Sequence, residues 1–165
     1  MALYMWRGTG SAYWLPADIE VGPLGPTEEQ LADPDVLDLT DSTTGVSGLE
    51  TTPNNINVPI LRSRTPIQIA GEETLGTPTL TVVDDDGTDS LALLRQEVLD
   101  TLTPGAEGTL VFFLHTQAPA VGDKCYWQRE VVSAQVPTLT LDAAASTVGI
   151  TFAASHALRK GAVQA

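Results

Sequence analysis

The sequence has little of what most catalytic and metal sites are built from. It contains one cysteine, Cys125, and two histidines in 165 residues. A single thiol excludes an internal disulfide, a cysteine-based zinc finger and an iron–sulfur cluster, because each needs several thiolates. His115 ends one apolar run and His156 follows another, so we expect structural or surface roles for both. The sequence therefore predicts no catalytic residue, no metal site, no cofactor and no enzyme.

Long apolar runs and positive charge are scarce as well. No stretch approaches the roughly 20 apolar residues of a membrane span, and the N-terminus lacks the basic-then-apolar order of a secretory signal. We therefore expect no membrane contact. The 21 acidic against 8 basic side chains give a formal net charge of −13. Because binding to nucleic-acid phosphates needs the opposite balance, this charge favours solubility or a surface that faces an anion without holding it.

The remaining composition is that of a packed globular protein. Apolar residues make up 42% of the chain and charged residues 18%, and a domain of this length can bury about 70% of its unfolded surface. The 14 glycines and 11 prolines are spread over the whole length. This distribution predicts many short strands and no linker between two domains.

Short runs with apolar residues at every second position predict half-buried strands. They cover residues 36–40, 56–60, 66–70 and 77–83 in the first half of the chain. In the second half, runs rich in valine, threonine and aromatic residues predict further strands at 109–115, 124–134, 138–141 and 148–153. Between the first two runs lies a polar, glycine-containing stretch, residues 43–52, which is a loop or an irregular edge strand.

One longer helix interrupts the strands. Asp89 or Ser90 can cap it, the apolar residues Leu91, Leu94, Val98 and Leu102 recur at spacings of three and four, and Pro104-Gly105 ends it. The acidic turn at residues 84–87 does not fit a calcium-binding EF-hand, because the first and twelfth positions of such a loop would be Val82 and Leu93. An acidic lead into a helix N-terminus explains it more simply.

These elements predict an α+β chain, mainly β, with an antiparallel β-sandwich or partly closed barrel and one packed helix at about residues 90–102. Four prolines in the opening third favour an extended N-terminal arm, residues 1–35, with one helical turn at 27–32. The β domain would cover residues 36–156, and residues 157–165 would form a free or partner-ordered tail.

The order of the segments resembles that of the major tail tube proteins of long-tailed, siphovirus-type bacteriophages, especially those of actinobacteria. The resemblance lies in residues 45–51, 54–59 and 65–76, then in the strand at 79–84, the leucine-rich helix, the strand at 108–113, and the segments 122–127, 131–133 and 148–152. It extends over roughly residues 36–154. We expect no additional C-terminal immunoglobulin-like domain of the kind that some related tail proteins carry, because 165 residues are too few to contain one as well.

The resemblance implies a structural virion protein, assembled in the host cytoplasm, that forms hexameric rings stacked into a hollow tail tube. Its implied partners are copies of itself, the tape measure protein, the tail terminator and the baseplate or distal tail proteins. DNA would only pass through the lumen. The alternative from the residues alone is a non-catalytic β-sandwich binding or adhesion module of a particle or cell surface, which the alternating strands fit equally well.

The resemblance also directs attention to two sets of residues. Carboxylates lining the lumen would repel DNA phosphates, and the candidates are Glu72, Glu73, Asp84, Asp85 and Asp86. Contacts between subunits are expected from the arm, from residues 43–64 and from the tail, and the candidates are Trp6, Tyr13, Trp14, Leu49, Arg62 and Arg64. The aromatic residues of the arm either anchor a neighbouring subunit or close one end of the core.

Overall fold

The computed structural model of the protein describes residues 9–59, 67–85, 87–138 and 146–165. In chain order its elements are β1 (Ser11–Pro16), α1 (Glu28–Leu31), β2 (Leu37–Asp38), β3 (Thr43–Ser47), β4 (Thr51–Val58), β5 (Ile67–Leu75), β6 (Thr79–Asp84), α2 (Ser90–Thr101), β7 (Glu107–Phe113), β8 (Lys124–Thr138), β9 (Ser146–Ala154) and β10 (Arg159–Ala162). None of the described helices is long and apolar enough to cross a membrane.

Two sheets contain these strands. The larger has the order β2-β1-β7-β8-β9-β6-β3, and β10 joins it by pairing with β8. The smaller is the β4–β5 hairpin. All strand pairs are antiparallel. The prediction of a mainly β, antiparallel fold with one packed helix is confirmed, and because the sheet order ends at β2 and β3 without returning, the described strands form no closed barrel.

The large sheet is strongly curved. Trp14 on β1 and Phe152 on β9 lie with their ring centroids 5.7 Å apart, although β7 and β8 separate their strands. In a flat sheet the same strands would be about 14 Å apart, at three spacings of about 4.8 Å. The sheet therefore packs one of its faces onto itself, as the two layers of a sandwich do.

The central strand β7 is buried on both faces. Leu110 and Phe112 point into the core enclosed by the curve, together with Trp14, Ile150 and other apolar side chains. Val111 and Phe113 point to the opposite face, into a smaller core that includes Cys125, Trp127 and Val163. A continuous apolar run is typical of such a strand, and the sequence Leu110–Phe113 has one.

Helix α2 covers the curved core, close to the predicted position. Asp89 is its N-cap, and its carboxylate accepts a hydrogen bond of 2.8 Å from the Ala92 amide. Val98 and Leu102 are fully buried and Leu94 packs beside them. The predicted apolar face was wrong at its first residue, because Leu91 is 38% exposed whereas Ala92 is buried. The short helix α1 is also confirmed, with a capping box between Thr27 and Gln30.

The predicted N-terminal arm is wrong for residues 11–16. These residues form β1, which lies inside the sheet between β2 and β7. Trp14 and Leu15 are consecutive and both buried, one in each core. Gly108 on β7 makes room for this packing, since a Cβ at that position would lie 2.6 Å from the Trp14 ring. Residues 11–16 of the predicted arm therefore belong to the packed body of the subunit.

The predicted free tail is wrong for the same kind of reason. Strand β10 pairs with β8 from Arg159 opposite Trp127 to Ala162 opposite Lys124. Val163 is buried, and the Gln164 amide donates to the Pro26 carbonyl at 2.8 Å. The uncertain stretch at residues 43–52 contains the irregular edge strand β3. The strand predicted at 138–141 lies largely outside the described residues.

Candidate assembly surface

The β4–β5 hairpin stands apart from the curved sheet. Its two strands pair only with each other among the described strands, in a register that places Ile56 opposite Ile69 and Val58 opposite Ile67. The register shifts between Pro53 and Asn55. Nearly every residue of both strands is exposed. A two-stranded hairpin without further packing is marginally stable in water.

One face of this hairpin is apolar and uncovered, and we call Ile56, Val58, Ile67 and Ile69 the hairpin face. Ile56 is 53% exposed, and Ile67 and Ile69 are each 52% exposed. The alternating pattern in these strands predicted that such residues would face the core of the subunit. That prediction is wrong for the three isoleucines. Paired exposed β-branched residues of this kind indicate a surface that another molecule covers.

Two glycines fix the root of the hairpin. Gly48 has a φ of +76°, and a Cβ there would overlap the Thr77 carbonyl oxygen. A Cβ at Gly76 would lie 2.8 Å from the Glu50 carbonyl oxygen, which accepts a hydrogen bond of 2.9 Å from the Gly76 amide. The strands entering and leaving the hairpin therefore cross at backbone contact distance, and this holds the base of the hairpin against the body.

The acidic candidates are distributed over two elements. Glu72 and Glu73 lie on β5 and are exposed, and Asp84 ends β6 and is exposed. Asp85 is engaged within the chain: it accepts from the Gly87 amide at 3.0 Å and forms an ion pair of 2.8 Å with Arg95. These two bonds, the amide first, lower the pKa of the Asp85 carboxyl. Asp86 lies outside the described residues.

The contact candidates have different environments. Trp14 is in the core, so the alternative that it closes the core is the right one, and its role as an exposed anchor is excluded. Tyr13 is half-buried and packs edge-on against Phe113, with ring centroids 5.9 Å apart. Leu49 is half-buried against the curved core. Trp6, Arg62 and Arg64 lie outside the described residues.

The residues considered for chemistry have structural environments. Cys125 is fully buried, and burial raises the pKa of its thiol to about 11, so the thiol stays protonated and unreactive. His156 accepts from the Arg129 amide through Nε2 at 3.3 Å, and its Nδ1 lies 2.7 Å from the Ala157 carbonyl oxygen. Within the described ranges no group of three or more carboxylates, histidines and cysteines is placed to hold a metal ion.

No pattern in the sequence indicated one unusual residue, Glu130 on β8. It is 0% exposed, and neither carboxylate oxygen has a hydrogen-bond partner among the described residues. Its cross-strand neighbours, Gly108 and Ala154, carry no polar side chain. Burial raises the pKa of this carboxyl to about 8, so the group is protonated at neutral pH. It lies on the face of β8 that carries Val132, which belongs to the curved core.

Comparisons with known proteins bear on the family and the fold of the chain. A family model described as phage tail tube protein matches residues 1–165. No curated protein sequence matches the chain significantly. Among solved structures, a chain in the 6-fold symmetrised baseplate of the anti-feeding prophage superposes with a TM-score of 0.58 at 11% identity, covering 100% of both chains. A chain in the extended sheath–tube complex of an extracellular contractile injection system gives a TM-score of 0.60 at 11% identity, covering 99% of this chain and 92% of the other.

The two solved chains establish the fold, and the family model, which spans the whole sequence, establishes the relationship. A tail tube protein is a structural component of the virion and is not an enzyme in general. The chain belongs to the phage tail tube protein family.

Proposed function

We propose that this protein is the major tail tube subunit of a long-tailed phage of the siphovirus type, and that it assembles as hexameric rings stacked into a hollow tube. The observation that carries the proposal is the exposed hairpin face in a chain of the tail tube family. The subunit has a complete core without the hairpin, so the hairpin is available for a neighbouring copy.

Burial of the hairpin face supplies part of the driving force for assembly. Complete burial of an isoleucine side chain contributes about 1.5–3 kcal/mol. Ile56, Ile67 and Ile69 are each about half exposed, so covering them contributes on the order of 1 kcal/mol each per subunit. Repeated in every subunit of a closed ring, a contribution of this size stabilises the assembly cooperatively.

The edge of the large sheet offers a second type of contact. Strand β3 is the last strand in the sheet order, so its outer side has no strand partner among the described residues. Unpaired strand edges bind further strands through their backbone amides and carbonyls. In the proposed ring, sheets of neighbouring subunits meet at such edges and form a continuous wall around the lumen.

The acidic charge suits the passage of DNA. A net charge of −13 per subunit is multiplied by six in each ring, and carboxylates facing the lumen repel phosphates, so DNA passes without being held. Screening limits this repulsion to about 8 Å at physiological salt. Glu72, Glu73, Asp84 and Asp86 are the proposed lumen residues. Asp85 contributes less, because Arg95 neutralises it.

The remaining partners follow from a place in the tail. The tube would enclose the tape measure protein, and its ends would contact the tail terminator and the baseplate or distal tail proteins. Assembly would take place in the host cytoplasm before the tail becomes part of the virion. A contractile sheath around the native tail would contradict the siphovirus assignment while leaving the tube function intact.

Electron microscopy of the purified protein tests the proposal. We expect six-fold rings or uniform hollow tubes at high protein concentration. The double variant Ile56→Ser with Ile69→Ser should remain folded and lose these assemblies, because the cross-strand pair at the centre of the hairpin face becomes polar. Val136→Ser is the matched control, since Val136 is a β-branched residue on β8 with 58% exposure. A wild-type protein that stays monomeric at high concentration would contradict the proposal.

A further inference from the structure

A cavity of about 250 Å³ lies beside β8 and β10, away from the hairpin. Its charged lining residues are Arg129, Arg159 and Glu20, and His156, Trp127 and Thr109 lie around them. The strand pairing explains why they converge. Arg159 on β10 is opposite Trp127, and Thr109 on β7 is opposite Arg129. Alternation along β8 then places Trp127 and Arg129 on the same face of the sheet.

The two arginines have no carboxylate within salt-bridge distance in the described part of the chain, whereas Arg95 has one. This is unusual in a protein with 21 acidic and 8 basic side chains. Arg129 and Arg159 are both exposed. Their guanidinium groups are therefore available, and each has planar donors that suit a carboxylate.

The other polar groups of the cavity leave it positively charged. His156 accepts a hydrogen bond from a backbone amide through Nε2, and its Nδ1 lies against a backbone carbonyl, so both ring nitrogens are engaged within the chain. Among the described lining residues, Glu20 is the one carboxylate, against two arginines. Apolar groups from Trp127, Ile19 and Val21 form the rest of the wall, and such surroundings strengthen an ion pair relative to open solvent.

We propose that this cavity, which we call the arginine pocket, receives a carboxylate from a second copy of the chain. The proposal rests on self-assembly as proposed above. Subunits of net charge −13 repel one another, and a closed assembly is favoured where an acidic surface of one copy meets one of the few basic sites of the next. Lys124 and Lys160, the other described basic residues of β8 and β10, alternate to the opposite face of the sheet.

Zero-length crosslinking tests this contact directly. The variant Arg129→Lys with Arg159→Lys keeps both charges and introduces amines that a carbodiimide couples to any carboxylate in contact. Tubes are assembled from an equal mixture of ¹⁵N-labelled and unlabelled variant, and peptides are identified by mass spectrometry. We expect isotopically mixed crosslinks from the introduced amines at positions 129 and 159, in excess over those from Lys124 and Lys160.

A second variant tests the energetic role. Arg129→Gln with Arg159→Gln should keep the wild-type melting temperature, raise the protein concentration needed for assembly roughly tenfold, which corresponds to about 1.4 kcal/mol, and weaken the salt dependence of assembly. A folded lysine variant that fails to assemble also supports the pocket, because it shows that guanidinium geometry is needed.

The outcomes separate the two proposals. If tubes form and the introduced amines give only crosslinks within one chain, or if the glutamine variant assembles as the wild type does at all salt concentrations, the arginine pocket is not an intersubunit site and the tube function stands. If the wild-type protein never assembles, both proposals are overturned.

Discussion

Strand β7 and the β4–β5 hairpin contain similar β-forming residues in opposite situations. In β7, four consecutive apolar residues are buried, two in each core. In the hairpin, cross-strand pairs such as Ile56 with Ile69 remain about half exposed. The difference does not lie in β propensity but in the neighbours, because β7 has a strand on each side and a core on each face. The described part of the chain buries the four apolar residues of β7 and leaves the hairpin face uncovered.

This comparison predicts that mutations in the two regions separate folding from assembly. A polar or charged group placed in the body should lower the free energy of unfolding. The same kind of change in the hairpin should leave that free energy nearly unchanged and remove assembly. Three sets of variants test this separation.

The largest effect is expected for Val98→Asp. Val98 is fully buried between α2 and the curved core, and an unpaired carboxylate there should cost several kcal/mol, enough to unfold the subunit. Circular dichroism during heating measures this loss of stability. Leu93→Asp on the 56% exposed side of the same helix is the control and should melt close to wild type. Native-like melting of Val98→Asp would contradict the position of the helix.

An intermediate, pH-dependent effect is expected for Glu130→Gln. The ordinary pKa of about 4.5 is raised to about 8 in the folded protein, so the folded state holds this proton more tightly than the unfolded state. The carboxyl is protonated in both states below pH 4.5. As the pH rises from 4.5 to 8, its contribution to the free energy of unfolding falls by about 1.4 kcal/mol per pH unit, and above pH 8 it is constant.

Glutamine cannot ionise, so the free energy of unfolding of the variant does not contain this decrease between pH 4.5 and 8. Urea denaturation of both proteins at pH 4.5, 6.5 and 8.5 gives the difference directly, and the common effect of the net charge largely cancels in it. We expect the stability of the variant relative to wild type to increase from pH 4.5 to 6.5 and again from pH 6.5 to 8.5. Parallel pH profiles for the two proteins would show that the Glu130 carboxyl is solvated or paired.

The smallest effect on stability is expected for the hairpin double variant, Ile56→Ser with Ile69→Ser. Both residues lie on an exposed face and belong to neither core, so the free energy of unfolding should change by no more than about 0.5 kcal/mol per site. Chemical denaturation below the assembly concentration measures this change. A loss of several kcal/mol would mean that the hairpin packs on the body, and the contrast between the two regions would disappear.

Local signals in the sequence were sufficient for much of the fold. Helix α2 was predictable because Asp89 caps it and apolar residues recur every three or four positions. Its exact face was not, because Leu91 and Ala92 are both apolar and differ by only one position around the helix. The short helix α1 was predictable from the prolines around it and from Glu28 and Glu29, whose charges suit the first turn of a helix.

The errors share a physical cause, which is that pairing between distant segments leaves little local trace. Strand β1 is buried on both faces, so Trp14 and Leu15 show no alternation between apolar and polar residues. Pro16 is the last residue of the strand, where a proline does not interrupt it. Strand β10 is held mainly by backbone pairing to β8, so its charged residues looked like a free tail. Arg129 and Arg159 meet through that same pairing, and their separation in sequence hid the arginine pocket.

The exposed hairpin was hidden for a related reason. Alternation in β4 and β5 predicts an apolar face, and it does so correctly, but it does not tell whether the cover comes from the same chain or from another copy. Only the three-dimensional arrangement, in which neither core includes the hairpin face, shows that the described part of the same chain leaves this face uncovered.

Hydrogen–deuterium exchange of the hairpin amides, compared between the dilute subunit and the assembled protein, shows whether a neighbouring copy covers the hairpin. We expect the peptides of β4 and β5 to exchange quickly in the dilute subunit and to become protected on assembly, while those of β7 and the paired part of β8 are protected in both states. Hairpin amides that are equally protected before assembly, or that remain unprotected within the tube, would contradict the claim that this hairpin is reserved for a neighbouring copy.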